Sequence, residues 1–492
     1  MSDTSDGAPA PPRDAPRAGA PRSTEADSLV TPYDDRIVGA KQAQMAAAQY
    51  GLVEDPALLA YVGAVGQRLA RNAPGDFQYR FQIVNQDVPN AFALPGGYVF
   101  VTRGLLLLVN SEDELANVMG HEITHVAERH AAMQQAAASS PVFALPKLVQ
   151  VAGEGVDMAG GQLGESPRAW LARYGRDEES DADRIGQQIA ASAGWSPQGM
   201  ADFLRDLESA MRLQEGAPHA PSFLDSHPSN PDRVTAASLN ASMLQWAASP
   251  GIAPGRAEFL AKLGGLVVGE DPGEGVLQGT LFLHPDLDLA VAFPEGWEVQ
   301  NSHTAVGAVS SEHDAEILFE GEGPGSDPKA AADAFFAKAP PDSRVQRKGG
   351  AAIRAGSSPA WHEQAEVRTG QGMLVLDLTW VAFGGSVYRV TGVGPGVVIA
   401  EKQEALADVA RSIRALTPDE RKSIRVKRLR SAAAHEGESL EAFSARVGNS
   451  WEPLDLAVAN DLFADATLSD GQLLKIAVEE AYVPRGSAGG SR

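Results

Sequence analysis

Two histidines four residues apart, His121 and His125, enclose a glutamate, Glu122, near the middle of the N-terminal half of this chain. No other feature constrains the fold as tightly. On a helix, residues four apart lie one turn above each other, so both imidazoles share one face with a carboxylate beside them. The flanking residues suit a helix. Asn110-Ser111-Glu112-Asp113-Glu114 supplies an N-cap and an acidic first turn, and Leu115, Val118, Met119, Ile123 and Val126 recur at helical spacing.

Gly120-His121-Glu122-Ile123-Thr124-His125 has the HExxH arrangement of zinc peptidases, in which the glutamate takes a proton from water at the metal. An ordinary amphipathic helix in a chain with ten histidines can carry the same spacing by chance, so the surroundings must decide. Cysteine is absent, which excludes disulfides, thiolate zinc sites and a cysteine nucleophile. Any transition-metal site must then use histidine and carboxylates. The formal net charge of −23 argues against nucleic acid or an anionic membrane surface as partner. At 492 residues the chain is too long for one core, and two to four domains are expected. No apolar run approaches the ~18 residues of a membrane span, Leu105–Val109 being far too short. The start is polar and acidic after Met1, without the pattern of a signal peptide, which leaves a cytoplasmic protein or a mature form.

Residues 1–35, rich in Ala, Pro, Asp and Ser, read as a disordered leader. Helical spacing then runs from Asp35 to about Ala73 with a break at Asp55-Pro56, and Phe77–Val84 alternates as a half-buried strand does. Pro95 and the Gly96-Gly97 pair predict a turn between two short strands, an edge arrangement on which an extended peptide can pair. Small residues over 136–168 suggest a loop over the site. Arg176–Gly186 opens another helix with a crowded acidic start, which offers a third metal ligand from Glu178 or Glu179. An amphipathic helix follows from Ser196 to about Gln214. His227-Pro228 then sits in a loop before a last helix that starts at Pro231-Asp232-Arg233.

In this order the pieces resemble one family, the soluble bacterial branch of the gluzincin metallopeptidases related to the CAAX prenyl protease (the BepA/HtpX type). The resemblance covers roughly residues 36–245. It rests on Asn90-Ala91-Phe92-Ala93-Leu94-Pro95-Gly96-Gly97, on Gly120–Val126 with Arg129-His130 behind it, on Glu179-Ser180-Asp181-Ala182-Asp183, and on His227-Pro228 with Arg233. It implies one Zn2+ per chain held by His121, His125 and Glu179, with Glu122 as general base and Asp183 orienting a ligand imidazole. Glu179 is preferred to Glu178 because only Glu179 has the four-residue offset to Asp183. His227, supported by Arg233, is implied near the zinc. There it either stabilises an oxyanion or fills the open position of a latent enzyme. Asn90, Ala91, Phe92, Ala93 and Leu94 would hold the substrate. His130, nine residues after His121, falls off the ligand face and reads as structural.

Beyond residue 246 the composition changes. A Gly/Pro-rich linker (247–272) leads to strands at Leu281–Leu283, Leu289–Phe293, Ala305–Val309 and Glu316–Phe319. A hairpin over Met373–Phe383 and Ser386–Thr391 and helices near 328–338 and 402–416 complete an α+β domain (273–420). Its Phe293-Pro294-Glu295-Gly296-Trp297 element is weakly similar to PsbP-type domains. Residues 425–480 are similar to LysM, a βααβ module, through Gly437-Glu438-Ser439-Leu440, Asn460 and Gly471-Gln472-Leu473-Leu474-Lys475-Ile476; residues 481–492 form a tail.

The expected architecture is therefore α+β multidomain. A mainly helical gluzincin-type protease domain (36–246) with a small edge-stranded sheet precedes the antiparallel α+β domain and the small LysM-like module. The expected activity is zinc-dependent hydrolysis of peptide bonds in unfolded or misassembled envelope proteins by Glu122-activated water. Peptidoglycan, through 425–480, is a second expected partner, and the periplasm, with association to the outer membrane, the expected location. The competing reading is a latent or non-catalytic cell-wall-binding or assembly factor.

Overall fold

The computed structural model describes residues 35–130, 174–213, 223, 227, 232–339, 345–369 and 372–485. The leader expected over 1–35, apart from Asp35, and the loop expected over 136–168 lie outside them. The described residues form helices and several sheets in an α+β multidomain arrangement, and no described helix is long and apolar enough to cross a membrane.

The first domain opens with Asp35–Tyr50 (α1) and Pro56–Ala70 (α2). Helix α2 starts where its chemistry dictates. The Asp55 carboxylate accepts from Ala57 and Leu58 N–H at 2.9 and 3.1 Å, and Pro56 occupies a first-turn position that needs no N–H. Strands Arg80–Val84 (β1), Ala91–Leu94 (β2) and Tyr98–Thr102 (β3) form a sheet of order β1-β3-β2, with β3 parallel to β1 and antiparallel to β2. Gly96 and Gly97, at φ +76° and +97°, make the expected turn between β2 and β3, and β2 is the outer strand.

Arg103–Leu108 (α3) leads to Glu112–Ala127 (α4), the helix of the two histidines. The Ser111 hydroxyl accepts from Glu114 N–H at 3.2 Å, while the Glu114 carboxylate turns back to Asn110 N–H at 2.7 Å. Every residue from Glu114 to Val126 is buried. Arg176–Ser192 (α5), Gly199–Leu213 (α6) and Arg233–Met243 (α7) complete this layer, with α5 lying against α4. The approach of α4 and α5 is set by two glycines. A Cβ on Gly120 would lie 2.7 Å from the Gly186 carbonyl oxygen, and one on Gly186 would lie 2.6 Å from His121 N.

Between residues 247 and 272 the chain enters the core. Arg256–Leu263 (α8) buries Phe259, Leu260 and Leu263 among first-domain side chains, and Val267–Val268 (β4) extends a sheet further on. The buried Glu112 carboxylate collects four donors there: the Tyr61 hydroxyl, Trp195 Nε1, and the N–H groups of Ile252 and Ala253. A buried carboxylate is tolerated on that condition.

Strands Val276–Gln278 (β5), Leu281–His284 (β6) and Leu289–Ala292 (β7) form a small antiparallel sheet. The middle domain is built on a seven-stranded antiparallel sheet. Its strands are Glu298–Asn301 (β8), Val306–Val309 (β9), Glu316–Pro324 (β10), Val345–Ala355 (β11), Ser358–Thr369 (β12), Gly372–Phe383 (β13) and Ser386–Pro395 (β14), in the order β11-β12-β13-β14-β10-β9-β8. Pro328–Ala337 (α9) covers one face, over Leu376, Leu378 and Trp380; Gly396–Ser412 (α10) covers the other, over Val381 and Val390. The alternation along β13 makes this two-faced burial possible.

After the short helix Pro418–Ser423 (α11), the C-terminal unit runs Arg425–Ala433 (β15), Leu440–Val447 (α12), Pro453–Ala459 (α13) and Leu473–Ala481 (β16). Its sheet has the order β16-β15-β4, so a strand from ahead of the middle domain completes it. Lys475 on β16 is wholly buried, and its ammonium donates to the carbonyls of Leu107, Leu108 and Val109 at 2.8, 2.9 and 3.1 Å. These carbonyls stand at the C-terminal end of α3, where a cation is favoured. Arg256 adds a second bolt, reaching Asn110 on one side and Asn460 and the Leu473 carbonyl on the other. Replacing Lys475 by Met removes this donor from three carbonyls, of which Leu108 keeps a hydrogen bond from Asn110 Nδ2 at 3.2 Å. The expected loss is about 3 kcal/mol of stability, read as a lower urea midpoint; an unchanged midpoint would contradict this account of the joint.

Candidate metal centre

Helix α4 supplies His121, Glu122 and His125, and α5 supplies Glu179 and Asp183 one turn apart. The first turn of α5 separates its two adjacent glutamates by role. Glu178 bends back so that its carboxylate accepts from Gly175 N–H at 2.8 Å and closes the helix end, whereas Glu179 is buried and turned to the histidines. Phe223 anchors His227. Phe223 N–H donates to the Pro89 carbonyl at 3.0 Å, its own carbonyl accepts from His227 N–H at 2.8 Å, and its ring stacks on the His227 ring at 4.3 Å.

One ligand atom from each of His121, His125, Glu179 and His227 can be chosen so that all lie within 4.8 Å of one another, and all four residues are buried. His121 Nε2 is 3.0 Å from His125 Nε2 and 3.2 Å from His227 Nδ1, and His227 Nδ1 is 2.9 Å from Glu179 Oε1. Atoms bound tetrahedrally to zinc at 2.0–2.1 Å lie roughly 3.3 Å apart, so this spacing suits the ion. The buried oxygens of Glu122 and His227 Nε2 also lack hydrogen-bond partners, which buried polar atoms rarely do. The residues therefore fit a zinc ion, which would polarise a carbonyl and acidify water.

The next layer of contacts aims the ligands. Asp183 Oδ1 lies 2.9 Å from His121 Nδ1, so this nitrogen keeps its proton and Nε2 turns its lone pair to the centre. The Arg233 guanidinium forks onto both Asp183 oxygens at 2.8 Å, lies 3.1 Å from Glu179 Oε2, and donates to the His227 carbonyl at 3.2 Å. Arg233 thus holds three members of the site in place and acts as a positioning residue. His130 is also part of this layer, its Nδ1 2.8 Å from His125 Nδ1. It gets there because α4 ends at Ala127 and Arg129 takes a left-handed φ of +56°, which swings the next residue back. Tyr174 was not signalled by any spacing in the sequence, yet its ring stacks flat on His125 at 3.7 Å.

Burial dominates the electrostatics. It holds His125 well below the usual imidazole range, and so neutral. It also raises the Glu122 carboxyl above the usual carboxylate range. Burial opposes charge on His227 as well, but the Glu179 and Glu122 carboxylates outweigh it and raise that imidazole. Burial likewise works against ionised Glu179 and Asp183. His227 chiefly in the first case, and Arg233 in the second, reverse the effect and keep both carboxylates ionised.

Residues 56–240 match the family described as peptidase family M48. The chain is 34% identical over 203 residues to a beta-barrel assembly-enhancing protease of Yersinia pestis, covering 39% of this chain and 41% of that one. It is 33% identical over 177 residues to the mitochondrial metalloendopeptidase OMA1 of Schizosaccharomyces pombe, covering 35% of this chain and 50% of that one. The chain therefore spans half or less of the length of these relatives. The solution structure of cyanobacterial PsbP from Synechocystis matches 30% of this chain and 98% of its own at 13% identity, with a TM-score of 0.22 from which nothing about the middle domain follows. For the metal centre, Asp183→Asn should lower zinc affinity roughly 10–100-fold in a chelator competition, and Gly186→Ala should lower it too by pushing α5 off α4. Wild-type affinity in both would show that α5 does not aim the ligands. Over residues 56–240 this chain is similar to the metallopeptidases of peptidase family M48.

Proposed function

We propose that this protein is a zinc-dependent endopeptidase that cleaves unfolded or misassembled proteins of the cell envelope, working in the periplasm at or near the outer membrane. The observation that carries the reading is Glu122. Its carboxylate is wholly buried, neither oxygen has a hydrogen-bond partner, and it stands beside His121 and His125 with His227 Nε2 3.4 Å away. A structural carboxylate so placed would be costly; a general base for water at the metal needs those oxygens free. His121, His125 and Glu179 would hold zinc, and Asp183, Arg233 and His130 would fix their orientation. Strand β2, at the outer edge of its sheet, would pair with an extended peptide through Asn90–Leu94, as edge strands do. Unfolded chains offer such a segment and folded ones do not, which supports that substrate class. The envelope is proposed from the relatives' names, since the beta-barrel assembly-enhancing proteases match the same region.

His227 gives the proposal a resting state. Its Nδ1 lies close enough to His121 and Glu179 to complete a four-ligand set, the arrangement of a closed site rather than one with an open position. Activity then requires His227 to leave that place, after which its imidazole is positioned to stabilise an oxyanion. Glu122→Gln should retain one zinc per chain by metal analysis and lose casein cleavage by about a thousandfold. Cleavage at the wild-type rate by that variant would refute the mechanism.

A further inference from the structure

The C-terminal unit lies beyond the residues that match peptidase family M48, yet two lines of contact lead from it to His227. The first starts at Lys475, whose ammonium holds the three carbonyls at the end of α3. Helix α3 has only six residues, so a shift at one end reaches the other. Its N-cap is the buried Thr102. The Thr102 hydroxyl accepts from Leu105 N–H at 3.0 Å and from Asn90 N–H at 2.9 Å, and donates to the Val88 carbonyl at 2.8 Å. Next to Val88, the Pro89 carbonyl accepts from Phe223 N–H, and Phe223 holds His227 through its carbonyl and its ring.

The second line runs through α6. Helix α13 of the C-terminal unit packs on α6. The Asp206 carboxyl group of α6 accepts from Asn110 Nδ2 at 2.8 Å, and Arg256 joins the Asn110 carbonyl to Asn460 and the Leu473 carbonyl. One turn before Asp206, Phe203 meets Phe223 edge to face at 5.3 Å. Both lines therefore end on Phe223. A buried ammonium is a costly way merely to join two units, since apolar side chains of similar volume hold as well. What Lys475 adds is register, because it fits only where three carbonyls stand within reach at once.

We propose that the C-terminal βααβ unit positions His227 in the ligand set of the metal centre, with Lys475 and Thr102 as positioning residues. The assignment rests on the four-ligand resting state described above. Helix α4 fixes His121 and His125, and α5 fixes Glu179, whereas His227 lies outside every described helix and strand. Its place depends on Phe223 and Arg233, and through Phe223 on segments remote in the chain. Coupling between distant sites is carried by such chains of packed and hydrogen-bonded groups. A docked C-terminal unit thus favours the closed site.

The test compares full-length chains in chelator competition for Zn2+ and in the visible absorption of bound Co2+, whose bands report the ligand set. Lys475→Met should weaken Zn2+ binding about tenfold and move the Co2+ bands toward those of His227→Ala. Thr102→Val breaks the first line midway and leaves the joint itself intact, so it should do the same, and it decides the matter if Lys475→Met fails to fold. In a His227→Ala background neither substitution should weaken Zn2+ further, a pattern that general loss of stability would not produce. In the metal-free chain, hydrogen-exchange protection of Phe223 N–H should fall in both variants while the amides of β13 keep theirs. Wild-type affinity and Co2+ bands in both variants would overturn the proposal, as would an equal loss of affinity with and without His227. A His227→Ala chain with the wild-type Co2+ spectrum would overturn it too, by removing His227 from the ligand set. No measurement here involves peptide cleavage, so failure of the peptidase reading would show separately, as a wild-type chain that binds Zn2+ and leaves casein intact.

Discussion

Helices α4 and α5 touch at Gly120 and Gly186, and the metal centre depends on that contact. With no side chain at either position the two backbones meet closely, each at a distance no Cβ could tolerate. Such an approach costs the conformational freedom of two helical glycines, about 1 kcal/mol each. It brings Glu179 and Asp183 of one helix within reach of His121 and His125 of the other. A pair of helices held apart by ordinary side chains would sit 8–10 Å axis to axis, and short carboxylates could not then reach the imidazoles so squarely.

Once the helices are that close, the site lies inside the core. His121, Glu122, His125, Glu179 and His227 are almost without exposure, amid Phe223, Phe203 and Ile123. Polar groups in such a place must be paired, and most are: Asp183 with His121 and Arg233, His130 with His125, Arg233 with the His227 carbonyl. The exceptions are the two Glu122 oxygens and His227 Nε2, which lies 3.4 Å from one of them. Unpaired atoms scattered through a core would signal strain. Beside three imidazoles, they belong to a buried cluster that could hold a metal ion.

The same economy governs the far side of the domain. Helix α3 ends in carbonyls that water cannot reach, and Lys475, some 370 residues later in the chain, supplies the donors. Glu114 and Asp206 lie nearby, with pKa values raised chiefly by burial, and the Lys475 ammonium is lowered for the same reason. The C-terminal βααβ unit is thus joined to the first domain, sharing its core through Leu429 and Ala477 and a sheet through β4.

What could be read from the sequence was whatever depends on local spacing. His121 and His125 are one turn apart on any helix, as are Glu179 and Asp183, and Pro95-Gly96-Gly97 turns the chain wherever it stands. Such features survive without knowledge of neighbours. Choices that rest on long-range contact did not. Glu178 and Glu179 are alike until the helix end claims one and the histidines the other. Tyr174 is an isolated aromatic before a helix, and Phe223 another isolated aromatic, without period to announce them. His130 falls off the ligand face of an ideal helix and returns only because Arg129 is left-handed. Strands β11 and β12 escaped notice because Gly349, Gly350 and a largely exposed β11 give little alternation. The two residues of β4 are too few to carry any pattern. The sequence by itself determined which groups could bind a metal and activate water, because that chemistry is written in residue type and helical period. Only the tertiary structure decided which of them face one another, because helix approach at Gly120 and Gly186, the stacking of His227 on Phe223 and the reach of Lys475 are set by packing between segments far apart in the chain.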